Sequence, residues 1–431
     1  MRNRAFIVLA LSVFSSTLGI GMVSPILPVV AKDLGATGAW LGLSFSAFAV
    51  SQGVSTLLFG RLSDKWGRRP FIYGGFLVYG LSAVGYATAT SFEQIIAFRF
   101  IAGFGTAAVF PIAMAYIGDM AEKGREGTWM GTFNVANFVG FGAGPLIGGL
   151  VRDAVGADAA FWTMGGILFA TAVAVFLMLP ARPPMTTDNR SRRDSSREDP
   201  AQRPGAPIMR ILRDRTIRGM MVFSWADSVA FGAAFGFLAV YMDENLAASA
   251  VMIGIVLAAR TWINGLMAPV FGRAADRFDR VRLASAGLAV GAVASFFVPD
   301  MTTVWALGVL FVITGISEGV AWPAISAMTV DKGRTYGMGG LMGLRETATA
   351  GGLLFGSVGG GLLADEFGLG IVFRMSSVAM LTGSIAFLWL ARDYVAAREG
   401  APPRRPDRGV QSNQLPGESA ASPVVTLDSE P

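Results

Sequence analysis

The sequence repeats itself at an offset of 212 residues. Gly60, Arg61 and Asp64 fall on Gly272, Arg273 and Asp276. Gly103, Pro111 and Asp119 fall on Gly315, Pro323 and Asp331. The run Gly140, Gly144, Gly148, Gly149, Asp153 and Gly156 falls on Gly352, Gly356, Gly360, Gly361, Asp365 and Gly368. The chain that carries this repeat is 53% hydrophobic and only 15% charged. A long repeat in so apolar a chain means two similar membrane bundles facing each other, and such halves usually enclose a path for a solute.

Apolar runs of about 20 residues recur along the chain, each long enough to cross a hydrocarbon core of roughly 30 Å as a helix. Twelve are predicted, at about 5–30, 41–60, 71–90, 93–118, 128–151, 160–180, 218–241, 250–271, 283–299, 302–329, 338–363 and 371–391, and they are numbered helix 1 to helix 12. Glycines within these runs let helices approach closely in lipid. The first run carries Pro25 and Pro28 and lacks a small-residue cleavage site, so it reads as helix 1 and not as a signal peptide. The expected architecture is all-α, with six-helix bundles over 1–180 and 218–395. A linker spans 181–217, and a disordered tail spans 396–431. Arg182 to Pro207 is rich in Pro, Ser, Arg and Asp, which suits a flexible linker. Ile208, Met209, Ile211 and Leu212 among Arg210, Arg213 and Arg215 fit a short amphipathic helix at the membrane surface or a solvated charged stretch equally well.

Charge sets the orientation. An even number of spans puts both termini on one side. Lys32, Arg152 and Arg374 fall at the opposite surface, and Arg99, Arg260 and Arg345 fall within spans, which leaves 29 of the 35 Lys and Arg on the side of the termini. Basic loops stay cytoplasmic, so a multi-pass protein of the cytoplasmic membrane with both ends inside is expected. The formal charge of +5 then reports topology, and nucleic acid is not an expected partner.

Cysteine and histidine are both absent. No disulfide and no Cys/His metal site can form, and no histidine can carry a proton. No Gly-Lys pair occurs, so a phosphate-cradling loop of the usual type is missing and ATP-driven work is not expected. No cofactor is expected, and no nucleophile–base pair supports an enzyme.

The loop after helix 2 reads Gly60-Arg-Leu-Ser-Asp64-Lys-Trp-Gly67-Arg68-Arg69-Pro70 and returns as Gly272-Arg-Ala-Ala-Asp276-Arg-Phe-Asp279-Arg280. Gly60 allows close packing where helix 2 ends, and Asp64 suits a helix N-terminus. Arg68 and Arg69 can pair with acids at helix ends, Asp119 being the nearest candidate. Helix 5 carries Gly140, Gly144, Pro145, Gly148 and Gly149. Glycines four apart leave a groove for another backbone, and Pro145 can bend the helix. Ordinary small-residue packing would give the same spacing; the Gly-Pro step and the closing Gly-Gly favour a hinge or seal.

These segments resemble the signature loop of the major facilitator superfamily, and the resemblance covers about 5–391. Gly19-Ile-Gly21-Met-Val-Ser-Pro25 in helix 1 and Arg99-Phe-Ile-Ala-Gly103 in helix 4 agree with it. The helix 5 pattern is similar to the antiporter motif of the family's drug:proton exporters. The resemblance implies a monomer that exchanges small molecules against protons by alternating access. It also implies a seal at helix 5 and a functional arginine at Arg99. One region departs: several such exporters hold an acid in helix 1, where this chain has Ser15-Ser16-Thr17. That moves the expected proton site to the second half.

Charges within spans are costly unless paired or wet. The first half has Arg99; the second has Asp227, Arg260, Glu318, Arg345 and Glu346, whose repeat mates Ser15, Phe48, Thr106, Phe133 and Asn134 are neutral. Glu318 and Trp322 share a face of helix 10, as do Asp227 and Phe231 on helix 7. A carboxylate against an aromatic wall is poorly hydrated and suited to taking up a proton. The expected pairs are Arg345 with Glu318 and Arg260 with Asp227, acting either as permanent locks or in binding and coupling. Family resemblance places helices 1, 4, 7 and 10 around the path, offering Met22, Phe104, Phe110, Trp225, Phe235 and Trp322 to a lipophilic substrate. Proton-coupled export of a lipophilic or amphiphilic compound is the leading expectation. A sugar or organic-anion carrier is the alternative, with Arg260 and Arg345 clamping an anion. A non-transporting receptor would show decay of the Gly60–Pro70 motif, which is intact here.

Overall fold

The computed structural model describes residues 2–120, 126–180, 208–336 and 338–399, and among them it forms helices and no strand. Twelve helices are long and apolar enough to span a membrane. They are helix 1 (Arg4–Asp33), helix 2 (Gly38–Gly60), helix 3 (Arg68–Thr88), helix 4 (Phe92–Ile117), helix 5 (Phe133–Val155) and helix 6 (Ala157–Met178) in the first half. The second half has helix 7 (Arg215–Leu246), helix 8 (Ala250–Ala275), helix 9 (Arg280–Asp300), helix 10 (Val304–Gly333), helix 11 (Gly340–Phe367) and helix 12 (Gly370–Leu390). All twelve match the expected spans to within a few residues. Residues 181–207 of the expected linker and 400–431 of the expected tail lie outside the described residues, and a helix over Arg392–Glu399 crosses the expected boundary at 395.

Prolines decide where helices break. Helix 1 is interrupted between Val23 and Leu27, and its second segment starts with Pro28 in the first turn, where a missing N–H does no harm. Helix 4 breaks between Ala107 and Phe110, just before Pro111. Helix 5 runs through Pro145, which leaves one turn short of a donor. The repeat mate of Pro145 is Ser357, and helix 11 forms a π-turn there, over Phe355–Gly359. Both halves therefore loosen the same level of the same helix by different means.

Without water to expel, helices in lipid associate through close packing and hydrogen bonds. Gly140, Gly144 and Gly148 lie against the backbone of Phe14, Leu18 and Met22, so the groove expected on helix 5 is filled by helix 1. Thr17 ties the two helices further, donating to the carbonyl of Asn137 at 3.2 Å.

The two halves close on each other at the face opposite the chain ends. Asp153, at the end of helix 5, accepts hydrogen bonds from the backbone N–H groups of Ala250 (3.1 Å) and Val251 (2.9 Å) in the first turn of helix 8. Asp365, at the end of helix 11, accepts from Gly38 (2.6 Å) and Ala39 (3.0 Å) in the first turn of helix 2. Every residue of one set is the repeat mate of a residue in the other. A helix N-terminus has unpaired N–H groups and a partial positive charge, and a carboxylate answers both. Below each cap the backbones touch through glycine: Gly149 on Ala250 and Gly361 on Gly38, then Gly254 on Pro145 and Gly42 on Ser357. Toward the chain ends, Gly53 and Gly60 of helix 2 and Gly343 of helix 11 have open space beside them.

The short helix Ile208–Arg213 sits at the end of helix 7. Of the two alternatives, a short helix forms: its Ile211 is fully buried against Ile217 of helix 7 and Leu341 of helix 11, while Met209 is exposed.

Candidate functional site

The charged side chains of the second half converge because helices 8 and 10 pack at glycine. Gly315 lies against the Arg260 carbonyl and Ile263, and Gly319 against Met267 and Asn264. This close approach brings Arg260 Nη2 into an ion pair with Glu318 Oε1. Asn264 Nδ2 donates to the other carboxylate oxygen at 2.9 Å. Arg260 is 6% exposed, and the rings of Phe231, Phe235 and Phe311 lie 5.8, 5.9 and 5.9 Å from its guanidinium carbon. Its Nε and Nη1 are buried with no hydrogen-bond partner among the described residues.

Asp227 on helix 7 takes a different partner. Its Oδ2 accepts the indole N–H of Trp322 at 3.2 Å. Trp322 is 45% exposed, and the Arg345 guanidinium lies 4.7 Å above its ring. Arg345 is buried, with Nε unbonded. Glu346 is exposed and makes no ion pair among the described residues. Neither expected pair, Arg345 with Glu318 or Arg260 with Asp227, forms among the described residues. Glu318 goes to Arg260 because helices 8 and 10 are in direct contact, and Asp227 goes to the indole that lies across from it. Trp322, expected to wall Glu318, serves Asp227; Phe231, expected to wall Asp227, lies over Arg260.

The first half repeats this cluster with its charges rearranged. The repeat mates of Arg260, Asn264, Phe311 and Glu318 are Phe48, Gln52, Arg99 and Thr106. Arg99 lies over Phe48 at 5.6 Å, as Arg260 lies near Phe311 at 5.9 Å, with arginine and ring exchanged. Gln52 Nε2 donates to Thr106 Oγ1 at 3.1 Å, the counterpart of Asn264 donating to Glu318. Sequence reasoning singled out the arginines and acids but missed Gln52, Asn264 and Phe311, whose signal is their shared position in the repeat.

Of the expected cavity walls, Trp322 alone combines wide exposure with the charged cluster. Met22 is buried under Gly148 at the contact of helices 1 and 5, so in this state it walls nothing. Phe104 faces a lateral groove of about 410 Å³ with Phe59, Phe71 and Phe100, between helices 2, 3 and 4. Phe110 stacks on Phe133, Trp225 meets Phe355 at a tilt, and Phe235 stacks on Phe231 beside Arg260. Methionine and aromatic side chains suit helix packing as well as substrate, which is why composition could not separate these roles.

Loop residues hold the face at the chain ends. Arg280 donates to Asp331 at 2.7 Å and also bonds Tyr394. Arg68 and Asp119 are the repeat mates of this pair. The side chains of Asp64, Asp119 and Asp276 lie outside the described residues. Arg69 donates to the Phe176 carbonyl and lies over its ring at 5.1 Å, so it anchors helix 6 rather than an acid. Among the described residues Gly60 borders open space, and Gly272 has Pro323 at its side. Asp214 caps helix 7 through the N–H groups of Thr216 and Ile217 and accepts from Lys332 (2.6 Å) and Tyr336 (3.1 Å). Burial works against its charge, but the Lys332 ammonium and these donors hold its carboxyl below the usual range.

A family model described as Major Facilitator Superfamily matches residues 9–241 and 220–426. An uncharacterized MFS-type transporter of Methanocaldococcus jannaschii is 26% identical over 387 residues, 89% of this chain and 98% of that one. A multidrug resistance protein of Yersinia enterocolitica, MdtG, is 24% identical over 420 residues, 94% of this chain and 97% of that one. Among solved structures, a bacterial homolog of the human lysosomal transporter Spinster, in an inward-facing and occupied conformation, aligns at TM-score 0.71 and 14% identity over 92% of this chain and 97% of that one.

Proposed function

The chain belongs to the Major Facilitator Superfamily, and from that we propose that it exports lipophilic or amphiphilic small molecules in exchange for protons. It moves solutes and does not transform them. The observation that carries the reading is the Arg260–Glu318 pair, buried within the span of a half whose repeat partner is neutral at both positions. A symmetric scaffold has no need of such a pair, and a membrane interior penalises it. With the basic loops inside, both termini are cytoplasmic, and the face closed by Asp153 and Asp365 looks outward.

In this reading a proton on Glu318 neutralises the acid and releases Arg260. Asp227, within electrostatic reach of both, becomes its next partner. The exchange biases which way the two halves tilt, and bound substrate biases it too. Glu318, Asp227 and Glu346 take part as acids, with Arg260, Arg345 and Arg99 as the fixed cations. Trp322 offers an exposed ring beside them as a substrate platform. The Gly60–Pro70 loop, with Asp64, Arg68, Arg69 and Asp119 and the counterparts Gly272 and Asp276, acts as the inner gate. The Gly140, Gly144, Pro145, Gly148 and Gly149 segment seals helix 5 against helices 1 and 8. The relation to a multidrug resistance protein over nearly its whole length supports the substrate class.

The test is flux. Purified protein in liposomes is given ethidium and a panel of labelled amphiphiles, with and without an imposed pH gradient. Gradient-driven accumulation of panel members supports exchange against protons. Equal flux in both conditions would leave a carrier without proton coupling.

A further inference from the structure

The two arginine clusters differ by one missing group. In the second half Arg260 meets the Glu318 carboxylate, and Asn264 donates to the same group. In the first half the amide-to-acceptor link survives as Gln52 to Thr106, but no carboxylate is present. Threonine is shorter than glutamate and carries no charge, and the longer Gln52 side chain reaches across to it, so no carboxylate stands where Glu318 does in the second half. The arginine nevertheless remains. Arg99 is 4% exposed, its Nε has no hydrogen-bond partner, and it makes no ion pair among the described residues.

Each element around Arg99 leaves it unanswered. Helix 2 offers the rings of Phe45 and Phe48, 4.6 and 5.6 Å from the guanidinium carbon. Helix 3 offers the phenols of Tyr79 and Tyr86, which are neutral at physiological pH. In helix 1, Ser15 is bonded to Thr171, and Thr17 donates to backbone carbonyls. A guanidinium faced by rings keeps its N–H edge free, and that edge matches the two oxygens of a carboxylate. Phe45 packs against Gly236 of helix 7, which sets the cluster at the boundary between the halves, where a substrate passes.

We infer that Arg99, with Gln52 and Thr106, is a subsite for a carboxylate carried by the transported amphiphile. The inference rests on the exporter reading above and narrows it to acid-bearing amphiphiles, zwitterionic or anionic. The substrate supplies to Arg99 what Glu318 supplies to Arg260.

A matched pair of probes tests this: dansyl-aminoundecanoate and its methyl ester, which differ only in the carboxylate. Binding to the full chain in nanodiscs is read by dansyl fluorescence. The wild type is expected to bind the acid about tenfold more tightly or better, the scale of a charge-assisted hydrogen bond. Arg99→Gln should bring that ratio to about one by weakening binding of the acid, and Arg99→Lys should fall between, since lysine lacks the fork. Thr106→Glu, with Arg99 intact, should also erase the preference by supplying an internal carboxylate. It carries the test should Arg99→Gln fail to fold. A wild type that binds both probes equally, or acid preference retained in Arg99→Gln or in Thr106→Glu, overturns the subsite. Failure of the exporter reading shows separately, as the absence of gradient-driven flux.

Discussion

Lys32 and Glu244 are the same position in the two halves, and they bind each other. The repeat offset carries one onto the other, and their side chains form an ion pair at the face opposite the chain ends. Only residues beside the two-fold axis that relates the halves can do this. Duplication alone would have put like charges there; a change of sign turned a self-contact into a bond. Reversing one charge should therefore open this face. Lys32→Glu is expected to weaken closure and Glu244→Lys added to it to restore closure. The readout is accessibility of a cysteine placed at Asn245 to a bulky thiol reagent, in a chain with no native cysteine. Equal labelling of the single and double variants would contradict the axial role.

Asp153 and Asp365 should act as two equal latches. Each carboxylate caps a helix of the opposite half, and an exposed charge at a helix N-terminus contributes about 0.3–1 kcal/mol. Asp153→Asn and Asp365→Asn are each expected to raise the population open at this face, by similar factors, and the double variant by about their product. Spin labels at Ala154 and Asn245 report the change as a longer distance. An effect from one aspartate alone would break the symmetry argument.

Gly144 should tolerate no side chain. A Cβ there would press on the Leu18 carbonyl and Gly21 of helix 1. Gly144→Ala is expected to push the helices apart and cost about 1–3 kcal/mol, the range for overpacking. Gly166, beside which nothing lies within 4 Å, is the control, and Gly166→Ala should leave thermal stability unchanged. Equal melting of the two variants in detergent would rule out the tight contact.

Acid should loosen the start of helix 7. The Asp214 carboxyl is held below its usual range, so its contribution is complete above about pH 4, the unfolded value. It is lost as pH falls through the lower folded value. Asp214→Ala removes the cap and the Lys332 pair together, an expected cost of about 1 kcal/mol. Hydrogen exchange at Thr216 and Ile217 measures it, and protection unchanged in the variant would contradict the capping role.

The fold was legible because two periodicities coincide: apolar runs long enough to span, and a repeat that pairs them. A bend was expected only at Pro145, where helix 5 runs on; neither the break in helix 1 before Pro28 nor the π-turn at Phe355–Gly359 was read from the sequence. The charged residues of the site were legible by their cost in lipid. Their partners were not, because pairing depends on which helices touch, and glycines at 315 and 319 settled that for helices 8 and 10. Asp153 and Asp365 stood out as repeat mates, yet nothing local in the sequence says that each reaches across to the other half. Aromatic residues were the least informative: Phe104 and Trp322 look alike in sequence and lie in unlike places.

The central claim is that the Arg260–Glu318 pair couples transport to the proton gradient. Its most direct measurement is accumulation in liposomes, under an imposed pH gradient, of the labelled amphiphile that the wild type transports, comparing the wild type with Glu318→Gln. Glutamine keeps an acceptor for Asn264 but cannot gain or lose a proton. The variant is expected to fold, to bind that amphiphile, and to equilibrate it without accumulating it. Gradient-driven accumulation by Glu318→Gln at the wild-type level would contradict the claim.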